Sequence, residues 1–270
     1  MCIRDRSARR SAPRARRPAA AAAPGVDDIF RSQWETYQII LRHDHLRHAA
    51  LYGPLPEYVR ARLQLASAAP AQQRFSALDL GCGDSQVLAE ALEAAGGIWE
   101  RCGSFTGVDM SPAAMAIGSQ NLARVLPPGA ALRHVEDDMR AYVAGCPPAS
   151  VDLAFASFSV HHLVDSDKAA LLAGLRRALR PGGVALVVDI FRGDDGSQSR
   201  GDYMEAYLPQ IRGWAGLSPE AVANVTHHVA TYDQPATVPF YREAAAAAGF
   251  SAVRVLAHAG AFYRTLALEV

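Results

Sequence analysis

The sequence predicts an α/β protein with a doubly wound, mainly parallel sheet and helices on both faces. Three observations predict it. From residue 75 onward, apolar runs of strand length alternate with amphipathic stretches of helix length. The first apolar run feeds a tight glycine turn, Leu78-Asp79-Leu80-Gly81-Cys82-Gly83-Asp84-Ser85. The second, Phe105-Thr106-Gly107-Val108-Asp109, ends in an acid, followed by Ser111 as N-cap and Pro112 at the first helical position.

The elements follow in order. A strand over 76–80 enters the glycine turn, and Val87, Leu88, Ala91, Leu92 and Ala95 mark the helix after it. Gly81 and Gly83 permit backbone conformations closed to residues with a Cβ. The free N–H groups at the start of that helix then face an anionic group. Gly96-Gly97 stops the helix, and a strand over 104–108 follows. A helix over 112–125 ends before Pro127-Pro128-Gly129. Strands over 131–135 and 151–156 come next, the latter apolar enough for a central parallel strand. Ser166 or Asp167 caps a helix to Arg180, and Pro181-Gly182-Gly183 turns into the fifth strand. Right-handed crossovers gather the carboxyl ends of the strands, which carry Gly81, Asp109, Asp138, Ser157 and Asp189.

An acid at the tip of the second strand accepts hydrogen bonds from ribose hydroxyls in nucleotide-binding sheets. Asp109 stands at the spacing that role requires, with helix capping as the alternative.

Taken together these strings resemble the class I S-adenosylmethionine (SAM)-dependent methyltransferases, of the small-molecule type. LDLGCGDS looks like their first motif and GVDMSP like their second. HVEDDM, from His134, resembles the acidic third motif beside the adenine, VDLAFASFSVHHL the fourth strand and its exit, and LRPGGVALVVDI the fifth. Ser85 departs from the pattern, standing where many members carry a third glycine. The resemblance covers about 75–270 and implies a seven-stranded sheet closed by an antiparallel hairpin; 249–256 and 261–270 read as its two strands. That hairpin separates the chain from NAD-dependent dehydrogenases, which share the first two features. SAM is the implied cofactor, held by Asp79, Gly81, Cys82, Gly83, Asp109, Met110, Asp138, Met139, Ser157 and Phe158. Cys82 would serve as a small residue in the turn.

Methyl transfer asks for an acceptor held in line with the donor, and for a base if the acceptor carries a proton. His161 and His162 after the fourth strand, and His227 and His228 further on, are the candidates; His161 and His228 lead. Packing or capping is the other reading of the His161-His162 pair. Ala156-Ser157-Phe158-Ser159 provides no acid pair at the strand-four exit, so no metal is expected. The histidine-rich tract Arg42-His43-Asp44-His45-Leu46-Arg47-His48 reads as a helix end with dipole-complementing residues, with metal binding as the alternative.

Residues 1–25 read as a disordered or non-native tail. Its first 24 residues hold seven arginines and one acid, and Met1-Cys2-Ile3-Arg4-Asp5-Arg6 resembles a translated sequencing-adaptor sequence. The rest carries 20 basic and 26 acidic residues, a net −6 that argues against a large phosphate-binding surface. Residues 26–70 read as two helices capping the sheet, and 71–270 as the SAM-binding domain. Within it 191–234 is an insertion over the methyl-transfer point. Trp34, Tyr37 and Tyr52 from the cap, and Tyr203, Tyr207 and Trp214 from the insertion, are candidates to line the acceptor pocket, with packing as the alternative. A Ser218-Pro219 helix start lies in the insertion, and a helix from Pro235 to Ala248 leads into the hairpin.

At 270 residues, half of them hydrophobic, the chain can bury a sizeable core, and no apolar run is long enough to span a bilayer. Cys2, Cys82, Cys102 and Cys146 show no metal-binding or disulfide spacing, which suits a reduced, cytoplasmic setting. The Ala/Arg bias suits a GC-rich bacterial gene. The expected partners are a small-molecule acceptor, neither nucleic acid nor membrane, and at most a second copy of the chain. The alternative function is a SAM-binding protein of the same fold without methyl transfer.

Overall fold

The structure, a computed structural model, describes residues 26–66, 74–95, 97, 99–193 and 196–270. The tail expected over 1–25 and the stop at Gly96 lie outside the described residues.

Seven strands form one sheet in the order β3-β2-β1-β4-β5-β7-β6. They are β1 (Phe75–Leu80), β2 (Cys102–Asp109), β3 (Ala131–Glu136), β4 (Val151–Ser157), β5 (Leu179–Ile190), β6 (Ala252–Ala259) and β7 (Tyr263–Glu269). The first five pair in parallel; β7 runs antiparallel to β5 and to β6. The chain winds outward through β1, β2 and β3, then returns to place β4 on the other flank of β1. A crevice therefore opens at the carboxyl ends of β1 and β4, where ligands bind in open sheets.

β5 shows why both faces are apolar. Val184, Leu186, Val188 and Ile190 join the core on one face, and Ala185 and Val187 join it on the other. Each fully buried Val, Leu or Ile side chain here stabilises the fold by roughly 1.5–3 kcal/mol. The first face is covered by α2 (His48–Tyr52), α3 (Leu55–Ala66), α4 (Gln86–Ala95), α5 (Pro112–Ala123) and part of α8 (Arg200–Arg212) and α9 (Pro219–Tyr232). The second is covered by α6 (Met139–Gly145), α7 (Asp165–Ala178) and α10 (Val238–Ala248). Leading all of these is α1 (Val26–Arg42).

Several boundaries differ from the sequence expectation. The leading segment makes three helices rather than two, because Arg47 takes a left-handed φ of 63° and splits off α2. Helix α7 starts at Asp165, preceded by Val164 rather than capped by Ser166 or Asp167, and it ends at Ala178. β5 begins ahead of Pro181, since Leu179 already pairs with Val151 across a register shift. Helix α10 waits until Val238 for the side-chain cap that Thr237 gives to the Phe240 N–H. Among the described residues no helix is long and apolar enough to cross a membrane. Cys82, Cys102 and Cys146 are free thiols, all buried.

Candidate functional site

The glycine turn shapes the crevice. Gly81 has φ 69°, and a Cβ there would stand 2.4 Å from the Ser159 Cβ. Only a residue with no side chain lets the β4 exit approach so closely. Gly83, at φ 49°, would place a Cβ in open space, so the turn leaves room on its ligand side. Ser85 takes φ 51°, the strain that a glycine at this position would avoid. Phe158 also stands at positive φ, 47°, where β4 ends.

A cavity of about 390 Å³ lies over this turn, within the range of small-molecule sites. Its wall includes Asp79, Gly81, Cys82, Gly83, Asp109, Ser157 and Phe158 of the sequence-predicted set, together with Tyr37 and His228. Asp109 spans the cavity floor: its carboxylate accepts the Gly83 N–H at 2.8 Å and the Ser111 N–H at 2.9 Å. Two further lone-pair positions on that carboxylate are left for a ligand. Asp79 is 4% exposed. Burial, and then the Asp109 charge, push its pKa up to about 7. Burial also pushes the Cys82 thiol up, which keeps it protonated and inert.

Other predicted residues stand elsewhere. Met110 points outward and is 53% exposed. Asp138 caps α6 through the Arg140 and Ala141 N–H groups and pairs with the Arg140 guanidinium, so its carboxylate is occupied. Met139 packs beneath the glycine turn, its Cε 3.5 Å from a Cβ built on Gly81. Trp34 lies one ring outside the cavity, 5.9 Å from Tyr37. Tyr203 is fully buried against Tyr207 and Phe262, so the core claims it instead of the acceptor pocket.

A second cavity of about 240 Å³ adjoins the first and shares Tyr37, Leu46, Phe158, His162 and His228 with it. Tyr207, Trp214, His161, Val225 and Asp233 extend its wall. The cap and the insertion meet above it. His45 stacks on Trp214 at 5.1 Å with the rings 2° from parallel, and its Nε2 lies 2.9 Å from the Ala215 carbonyl oxygen.

His161 is held as a structural group. Its Nδ1 sits 2.5 Å from Asp189 Oδ1, and its backbone N–H donates to Asp189 Oδ2 at 3.0 Å. Burial lowers its pKa, but Asp189 and Asp233 outweigh burial and raise it to about 8. A cation so placed is a poor proton acceptor, so the base role expected of His161 gives way to ion pairing. His162 and His228 are driven the other way, by burial and then by the His161 charge, and stay neutral. Burial lowers His48 to about 4.

Sequence reasoning missed His48, Asp84, Gln86 and Asp233. His48 lies within a tract that reads as a helix end, yet it lines the first cavity and meets Phe158 at 5.0 Å. Asp84 and Gln86 follow the glycine turn directly, and that adjacency was the available signal. Asp233 carried no local signal. Tyr52, a packing-or-pocket candidate in the sequence, lines the cavity and donates to Ser157 Oγ at 2.5 Å.

A protein-family model described as a methyltransferase domain matches residues 78–185. No curated protein matches the chain in sequence. Solved structures do match in fold. The DszA carbon methyltransferase is 16% identical with a TM-score of 0.53, the match covering 78% of this chain and 50% of that one. The CurJ carbon methyltransferase is 12% identical, TM-score 0.51, covering 77% and 51%. The S-adenosylmethionine-dependent methyltransferase SibL, in its apo form, is 17% identical, TM-score 0.50, covering 77% and 54%. The match thus spans about half the length of these proteins. At these identities the likeness is one of fold. Residues 78–185 are similar to a methyltransferase domain, and the chain has the fold of these S-adenosylmethionine-dependent methyltransferases.

Proposed function

We propose that the protein transfers a methyl group from SAM to an O, N or C atom of a small molecule. One observation carries the reading: the glycine turn, buried Asp79 and Asp109 meet in a single cavity at the switch point of the sheet. Those residues suit SAM. Asp109 has free lone pairs for ribose hydroxyls, and Gly83 leaves space against the backbone. A carboxylate as deeply buried as Asp79 is stabilised by a cation, which the ligand's ammonium provides. SAM, when bound, supplies a methyl on a sulfonium that is already activated.

The protein's own work is then positioning and proton removal. The second cavity, which shares Phe158 with the first, takes the acceptor, and its aromatic and aliphatic residues hold it beside a polar edge of His161, His162, His228 and Asp233. His228 lines both cavities, so its imidazole stands where a proton would leave the acceptor. We also read the partner as a small molecule rather than nucleic acid, on the acidic balance of the body.

Calorimetry with S-adenosylhomocysteine, and incubation of labelled SAM with a metabolite extract, test the reading. Binding and a labelled product are expected. Tighter binding of NAD than of S-adenosylhomocysteine would overturn it.

A further inference from the structure

The sequence offers no acid pair at the strand-four exit, yet the fold brings acids there from elsewhere. Asp189 arrives from the end of β5, and Asp233 from the residue after α9. Asp233 Oδ1 lies 3.6 Å from His161 Nε2 and 3.5 Å from His162 Nδ1. All three atoms are within 4.8 Å of one another. Two imidazoles and a carboxylate bound to one ion at ordinary bond lengths of about 2.0–2.2 Å hold their donor atoms roughly this far apart.

Three further observations point to a ligand at that centre. Asp233 is only 2% exposed, and its Oδ1 has no hydrogen-bond partner. A buried carboxylate oxygen left so costs free energy unless something cationic or a donor meets it. His161 uses Nδ1 on Asp189, which turns Nε2 toward Asp233. A carboxylate behind a histidine in this way orients metal-binding imidazoles. Lastly, the two segments that carry the donors are clamped together. The Gln234 N–H donates to the His161 carbonyl at 2.7 Å. Lys168, with no exposure at all, donates to the carbonyls of Leu163 and Gln234.

We propose that His161 Nε2, His162 Nδ1 and Asp233 Oδ1 form a binding site for a divalent transition-metal ion of the zinc type. The donor set decides the class. Imidazole suits zinc and its first-row neighbours, whereas magnesium and calcium take oxygen ligands. Three protein donors leave a position open, and these residues face the second cavity, so an oxygen or nitrogen of a bound molecule can complete the coordination. The His161 and Asp233 pair explains the same acids without metal, as an ion pair, and that is the outcome the experiment must separate.

The test uses the untagged, chelator-stripped chain, titrated with Zn²⁺ by calorimetry and with Co²⁺ by visible absorption. A single equivalent should bind, with the absorption of a low-symmetry nitrogen and oxygen site. Asp233→Asn and His162→Ala should each weaken Zn²⁺ at least about tenfold, and Asp189→Asn by about 10- to 100-fold through the His161 ring. The His162 side chain is 40% exposed, so His162→Ala retains the fold even where the buried-acid variants do not. A His43→Ala/His45→Ala double variant, which removes a separate histidine pair, should bind Zn²⁺ as the parent does. Absence of stoichiometric binding would overturn the site, as would binding that His162→Ala leaves unchanged or that the His43/His45 variant abolishes.

Discussion

Asp109 accepts the backbone N–H of Gly83 at 2.8 Å, tying the tip of β2 to the glycine turn after β1. One carboxylate therefore shapes the turn and offers its remaining lone pairs to the cavity. Asp109→Ala should weaken S-adenosylhomocysteine binding by about 1.5–3 kcal/mol, the range for hydrogen bonds to a charged group. Calorimetry on the folded variant checks this, and unchanged affinity would remove Asp109 from the cofactor site.

Gly81→Ala should be far more damaging than Gly83→Ala to the fold. Both backbones are left-handed and strain any side chain, but at Gly81 the new Cβ also meets Ser159 at 2.4 Å, while at Gly83 it meets nothing within 4 Å. Thermal melting should show a drop for both and a larger one for Gly81→Ala. Cofactor affinity should fall for Gly83→Ala, since Gly83 lines the cavity.

Asp79 makes cofactor affinity depend on pH. Burial and the Asp109 charge raise it to about 7, so half of the unliganded protein carries a proton there near neutrality. A cationic ligand needs the carboxylate. Affinity should rise from pH 6 to 8 and flatten above. Calorimetry in buffers of different ionisation enthalpy should show proton release at pH 6.5. Because the folded pKa exceeds the ordinary 3.8, the unliganded fold should be most stable in this term below about pH 4 and lose that contribution as pH rises through 7.

Tyr203 separates packing from acceptor binding. Its ring is fully buried and its hydroxyl has no hydrogen-bond partner. Tyr203→Phe should leave stability within about 1 kcal/mol of the parent or raise it, and Tyr203→Ala should cost about 3–5 kcal/mol. Denaturant melts measure both. A Phe variant that keeps its stability but loses turnover would return Tyr203 to the acceptor pocket.

Trp214 joins the insertion to the cap through its stack on His45. Trp214→Ala should lower acceptor kcat/KM while S-adenosylhomocysteine affinity stays within about tenfold, or roughly 1.4 kcal/mol. Equal losses in both would make the insertion a cofactor lid.

The strands and most helices were legible because their signals are local. Alternation of apolar residues, Ser111 with Pro112, and the glycine turn each act within a few residues. The cavity's glycine turn, Asp79 and Asp109 belong to that legible part. Met110 and Asp138 show its limit. Each sits in a recognisable string, yet the direction of a side chain depends on what packs around it, here solvent for Met110 and Arg140 for Asp138.

By itself the sequence determined the strands, the glycine turn and the place of the crevice, because period, turn chemistry and crossover handedness follow from neighbouring residues, while the seven-stranded sheet with its closing hairpin was implied by the family resemblance. Tertiary structure alone decided the second cavity and the centre at its wall. His161 and His162 leave β4, Asp189 ends β5, and Asp233 follows α9. No local pattern links them. They meet because a buried lysine, the Gln234 N–H on the His161 carbonyl and the His161 N–H on the Asp189 carboxylate hold distant segments together, where burial makes each unpaired charge costly.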